Sequence, residues 1–164
     1  PLRQRLIDSL EQINTAGEVE IIPQTMPPFP WHFGGQRYHN LFVDTDFIEA
    51  FCKETGMRVC LDVSHSKLAC THLNASFSAF LKAILPHTAH LHLADAKGVD
   101  GEGLQIHDGE IDWVQLFTLM EQLAPNASFI PEIWQGHKNN GEGAWLALER
   151  LEGCDDSIPD RQVA

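Results

Sequence analysis

Four short apolar segments, each holding at least one acidic or imidazole side chain, alternate along this chain with helical patterns, and that alternation constrains the fold more than any other feature. Leu2, Leu6, Ile7, Leu10 and Ile13 recur at helical spacing before Gly17, and the stretch at residues 19–22 then reads as a strand. Asp46 predicts a cap for a helix carrying Phe47, Ile48 and Phe51 that ends near Gly56, and residues 58–63 form the second apolar strand. Phe77, Phe80, Leu81, Ile84 and Leu85 make a helical face that Pro86 ends before a strand at 89–94. Asp112 precedes the amphipathic run Trp113, Leu116, Phe117, Met120 and Leu123, and residues 128–133 are the fourth strand. A last helix carries Trp145, Leu146, Leu148 and Leu151, after which residues 153–164 read as a polar tail.

Strands separated by helices of this length require right-handed crossovers and a parallel sheet covered by helices. Four βα units are half of a (β/α)8 barrel, whose usual full length is about 250 residues. The expected fold is therefore α/β and half a TIM barrel over residues 1–152, a small open four-stranded sheet being the alternative. The 43% hydrophobic content suits one globular domain. No apolar run approaches the ~20 residues of a membrane span, and no basic-then-apolar leader begins the chain, so a cytoplasmic protein is expected. A start at Pro1 without Met reads as an excised piece of a longer chain.

Eleven Lys and Arg against 23 Asp and Glu give a formal charge of -12, which repels a phosphate backbone and disfavours nucleic acid as a partner. Cys52, Cys60, Cys70 and Cys154 form no CxxC pair and read as reduced thiols rather than a disulfide framework.

Each strand carries a potential metal ligand: Glu20, Asp62, His92 and Glu132. In a parallel barrel all strand C-termini open on one face, so residues far apart in sequence converge on a single ion. Three carboxylates and one imidazole suit Mn²⁺, Mg²⁺, Co²⁺ or Zn²⁺. Any one of them alone is more simply a solvated or core group. Four on successive apolar strands are harder to dismiss, because buried carboxylates need a cation or hydrogen bonds.

The run Asp62-Val63-Ser64-His65 resembles the Asp-x-x-His element of the xylose isomerase-like barrels, which include ketose epimerases, hydroxypyruvate isomerase and endonuclease IV. His90-Leu91-His92-Leu93-Ala94-Asp95 is similar to their His-x-x-Asp strand. The segment from Ile106 to Trp113 resembles their Gly-x-Gly-x-Ile-Asp-Trp helix entry, with His107 where glycine is common. The resemblance runs from about Val19 to Leu151 and implies the C-terminal half of such a barrel. It also implies that Glu20, Asp62, His92 and Glu132 hold the ion while His65 and Asp95 contact a substrate or orient ligands. The runs at 90–103 and 131–143 resemble barrel domains attached to N-acetylneuraminate synthase-like enzymes of surface-sugar synthesis.

An ion on a substrate carbonyl and hydroxyl polarises the carbonyl and stabilises a developing enediolate, while flanking carboxylates move the proton on carbon. Glu20 and Glu132 are the expected acid/base pair, with His65 beside them. Trp31, in a loop past a strand end, is expected to stack on a sugar, and Lys138, in a Gly-rich helix entry, to receive an anion. The expected activity is a divalent-metal-dependent sugar or sugar-phosphate isomerase or epimerase. The alternatives are an endonuclease IV-like phosphodiester hydrolase and a non-catalytic barrel domain of a larger polypeptide. The first and last strands of a half barrel have open edges, so the absent half or a second copy is an expected partner.

Overall fold

The computed structural model describes residues 2–14, 19–29 and 40–155. Helix α1 (Leu2–Asn14) buries Ile7 but leaves Leu2 and Ile13 exposed, so only part of its apolar pattern meets the core. Helix α2 (Thr45–Thr55) is capped by Asp44, whose side chain accepts the Phe47 N–H, and not by Asp46, which lies inside the first turn. It ends at Gly56 in the left-handed conformation, φ 69°.

The strand expected at residues 19–22 is displaced. Pairing occurs instead as a single parallel bridge between Gln24 and Cys60, with Cys60 N–H donating to Pro23 O and Thr25 N–H to Cys60 O. Pro23, Pro27 and Pro28 have no N–H to give, which keeps this ladder short.

Strand β1 (Val59–Asp62) is buried along its whole length and runs without a loop into α3 (Val63–Leu73), a helix that the apolar spacing does not disclose. Its buried residues include Ser64 and Ser66 beside Val63, Leu68, Ala69 and Cys70, so no clean apolar stripe marks it. Ser76 caps α4 (Phe77–Ile84), and Pro86 falls in the 3-10 turn Leu85–His87 that ends this helical stretch. Strand β2 (Thr88–Leu93) is followed by a further departure, the antiparallel hairpin of β3 (Asp95–Lys97) and β4 (Gly101–Leu104). Asp112 caps α5 (Trp113–Leu123) through the Gln115 N–H, as expected, and β5 (Ser128–Pro131) follows. Helix α6 (Lys138–Asp155) includes Asn139, Asn140 and Gly141 in left-handed conformations and continues through Gly153–Asp155, where a polar tail was expected. Residues 156–164 of that expected tail lie outside the described residues.

The three strands pair in parallel in the order β1-β2-β5, and the Gln24 bridge adds a fourth chain segment beside β1. Val59, Leu61, Leu91 and Leu93 are fully buried in a core shared with Ile48, Phe51, Leu81, Ile84 and Leu116. Each such side chain contributes about 1.5–3 kcal/mol by leaving water. Alternation sends Cys60, Asp62, His90 and His92 to the opposite face of the sheet. That face is where the polar groups collect. Among the described residues, no helix is long and apolar enough to cross a membrane.

Candidate active site

Asp62 ends β1, His92 is the penultimate residue of β2, and Glu132 immediately follows β5. Because the strands are parallel, these C-terminal ends meet, and one ligand atom from each of the three lies within 4.8 Å of the others. His92 Nδ1 stands 2.5 Å from Glu132 Oε2 and 3.7 Å from Asp62 Oδ2. Nδ1 is nevertheless buried without a hydrogen-bond partner. A buried imidazole nitrogen converging with two carboxylate oxygens suits a divalent cation, and the donor set of one imidazole and two carboxylates agrees. Contact with Asp62, Cys60 and Glu132 pushes the His92 imidazole up to about 12, while the same His92 holds the Glu132 carboxyl below its usual range.

Asp62 is fixed from several sides. Its Oδ1 accepts the His65 N–H at 2.9 Å and so caps α3, and its backbone N–H donates to Thr25 Oγ1 at 2.9 Å. Its Oδ2 receives Gln24 Nε2 at 2.9 Å. His65 faces Thr25 O through Nδ1 at 3.1 Å and Glu102 Oε1 through Nε2 at 3.0 Å. A carbonyl oxygen only accepts, so Nδ1 carries hydrogen, and a second proton must lie between Nε2 and the carboxylate. Burial opposes a charged His65, but Glu102, Asp62 and Thr25 outweigh it and raise its pKa.

Glu20 does not join this group. It forms a two-point ion pair with the exposed Arg58, at 2.9 and 2.5 Å, which holds the Glu20 carboxyl below its usual range. Residues 21–23 separate it from Gln24, whose bridge to Cys60 is what brings the first segment to the sheet. The acidic position expected on the first strand is thus taken by a neutral amide, Gln24.

Asp95 is fully buried, and its oxygens are occupied within its own neighbourhood. Oδ1 accepts the N–H groups of Ala96 and Ile111, and Oδ2 accepts the His107 N–H and Trp113 Nε1. It organises the loop into α5, a role that leaves no oxygen for the expected substrate contact. His107 adopts the left-handed conformation, φ 72°, that a glycine would take there. Lys138 Nζ is held by Gln135 Oε1 at 2.9 Å, and the left-handed residues that follow replace the helix entry expected to receive an anion. Trp31 lies outside the described residues.

Gln24, Thr25 and Glu102 were missed by sequence reasoning. A polar pair directly after Ile21-Ile22-Pro23 is the one signal that marks the first two, and nothing local marks Glu102.

The sequence profile described as xylose isomerase-like TIM barrel matches residues 2–153. No curated protein is matched. Among solved structures, a D-tagatose 3-epimerase-like protein superposes with a TM-score of 0.73 at 17% identity, over 99% of this chain and 55% of that one. An L-ribulose 3-epimerase gives 0.63 at 14%, over 94% and 54%. A D-psicose 3-epimerase with D-tagatose from Clostridium cellulolyticum H10 gives 0.57 at 15%, again over 94% and 54%. The chain spans about half the length of these structures, and its parallel βα units are part of the same kind of barrel.

Proposed function

Because the chain belongs to the xylose isomerase-like TIM barrel family, we propose that its strand-end cluster is the active site of a divalent-metal-dependent sugar or sugar-phosphate isomerase or epimerase. The convergence of one ligand atom each from Asp62, His92 and Glu132 within 4.8 Å carries this reading. The three epimerase structures of the same architecture support the substrate class.

Asp62, His92 and Glu132 would hold a cation such as Mn²⁺, Mg²⁺, Co²⁺ or Zn²⁺. When bound, it supplies polarisation of a substrate carbonyl. The Glu132 side chain is about half exposed, so it is within reach of a ligand and is the base that takes the proton from the carbon next to the carbonyl. His65 donates hydrogen bonds beside it. Glu20, tied to Arg58, is not available as the second base.

A cytoplasmic, reducing location fits Cys52, Cys60 and Cys70, which are free and buried. The runs at 90–103 and 131–143 support the finer reading of a barrel domain attached to an N-acetylneuraminate synthase-like enzyme. The exposed Phe129 and Ile130 of β5 support a covering partner, either further barrel strands or a second copy. Solvent-deuterium incorporation into D-tagatose, D-psicose or D-fructose with Mn²⁺ present tests the activity. Exchange in wild type and its loss in Glu132→Gln are expected; equal exchange in both would remove Glu132 from the chemistry.

A further inference from the structure

The hairpin between β3 and β4 is fastened through both backbone polar groups of one residue, Gly103. Gly103 N–H donates to Ser64 Oγ at 3.0 Å, and Gly103 O accepts the Trp134 N–H at 2.8 Å. Ser64 Oγ in turn donates to Asp95 O at 3.2 Å, at the base of the same hairpin. The neighbour of Gly103 is Glu102, and the neighbour of Ser64 is His65; the clamp therefore sets the Glu102 carboxylate against the His65 ring. His65 Nε2 takes only Oε1. Oε2 is buried and has no hydrogen-bond partner. A buried carboxylate oxygen without a donor costs free energy that a bound hydroxyl would recover.

Resting on the reading above, we infer that Glu102 is a substrate-positioning residue: His65 holds its Oε1, and its Oε2 accepts a hydrogen bond from one hydroxyl of a polyhydroxy ligand at the cation site. Three observations meet here. The oxygen is unpaired, it belongs to a residue two contacts from the cluster through His65 and Asp62, and the hairpin that carries it is anchored on both sides. Gln24 is neutral and Glu20 is paired with Arg58, so the first segment brings no carboxylate to the site, and Glu102 supplies one from the hairpin.

Glu102→Gln isolates this role. The amide oxygen still accepts from His65 Nε2, so the hairpin keeps its anchor, while the NH2 group presents donors where Oε2 accepted. The test uses the full chain loaded with Mn²⁺ and measures binding of D-tagatose, D-psicose, D-fructose and their monodeoxy analogues. Glu102→Gln is expected to keep Mn²⁺ stoichiometry, weaken ketose binding at least tenfold and raise KM more than it lowers kcat. For one monodeoxy ketose the difference between wild type and variant should vanish, because the hydroxyl concerned is gone. Should the variant fold poorly, wild type alone must still discriminate at least tenfold against that same analogue. Unchanged ketose affinity in a Mn²⁺-loaded Glu102→Gln protein, or no discrimination among monodeoxy ketoses by wild type, would overturn the assignment while leaving the metal-dependent reading intact. Wild type that takes Mn²⁺ but binds no ketose would overturn both.

Discussion

Asp62 and His65 are joined twice: Oδ1 accepts the His65 backbone N–H at 2.9 Å, and Oδ2 lies 3.2 Å from the His65 ring nitrogen Nδ1. One carboxylate therefore starts helix α3 and faces the His92–Glu132 cluster. The two tasks separate by substitution. Asp62→Asn keeps a capping oxygen but loses the charge, and Asp62→Ala loses both. Both variants are expected to lose bound Mn²⁺, and the alanine to unfold more readily than the asparagine by about 1 kcal/mol, the usual worth of an N-cap. Metal stoichiometry and denaturant titration check the pair; retained Mn²⁺ in either would contradict the ligand assignment.

Gln24 donates its amide to Asp62 Oδ2 where a third carboxylate would complete the site. Gln24→Glu should raise Mn²⁺ affinity at least tenfold. Without metal it should lower stability, since it sets like charges side by side. Calorimetric titration and melting with and without Mn²⁺ test the two signs together. An unchanged affinity would show that residue 24 does not face the cation.

Asp95 answers four donors from inside the protein, and Gly109 leaves the space for it: a Cβ there would come within 2.2 Å of Asp95 Oδ1 and 2.4 Å of Ala96 O. Asp95→Ala and Gly109→Ala are each expected to cost about 3 kcal/mol or more, the first by orphaning buried donors and the second by overpacking. Trp113, bonded to Asp95 through Nε1, gives a fluorescence readout of the loop. Losses under 1 kcal/mol would refute the organising role.

Burial raises the thiols of Cys52 and Cys70 to about 11 from 9.0. The sign is set by the unfolded chain, whose thiols ionise first: the contribution is complete below pH 9 and is lost as pH rises from 9 toward 11. Stability should fall over that window by on the order of 2 kcal/mol per thiol, and Cys52→Ala with Cys70→Ala should flatten the fall. Equal alkaline slopes in the parent and the double variant would remove the thiols as its cause.

Much of the candidate site was legible because of where a short apolar run must put an acidic or imidazole side chain. Asp62, His92 and Glu132 each sit at or just past the end of a strand, and parallel pairing brings such ends together whatever the intervening sequence. The helix caps at Asp112 and the stop at Gly56 were legible for the same local reason. Glu20 was not, because which residue of the first segment reaches the site depends on a pairing with Cys60, 36 positions away from Gln24. The identity of Asp95 was apparent but its task was not: spacing places a carboxylate, and only the folded loop decides which donors surround it. Glu102 lies in β4, between Gly101 and Gly103, where no apolar pattern marks it. Its encounter with His65 is made by Ser64, Gly103 and Trp134, hydrogen bonds between segments that no local pattern connects, so it could be decided only once the tertiary structure had brought them together.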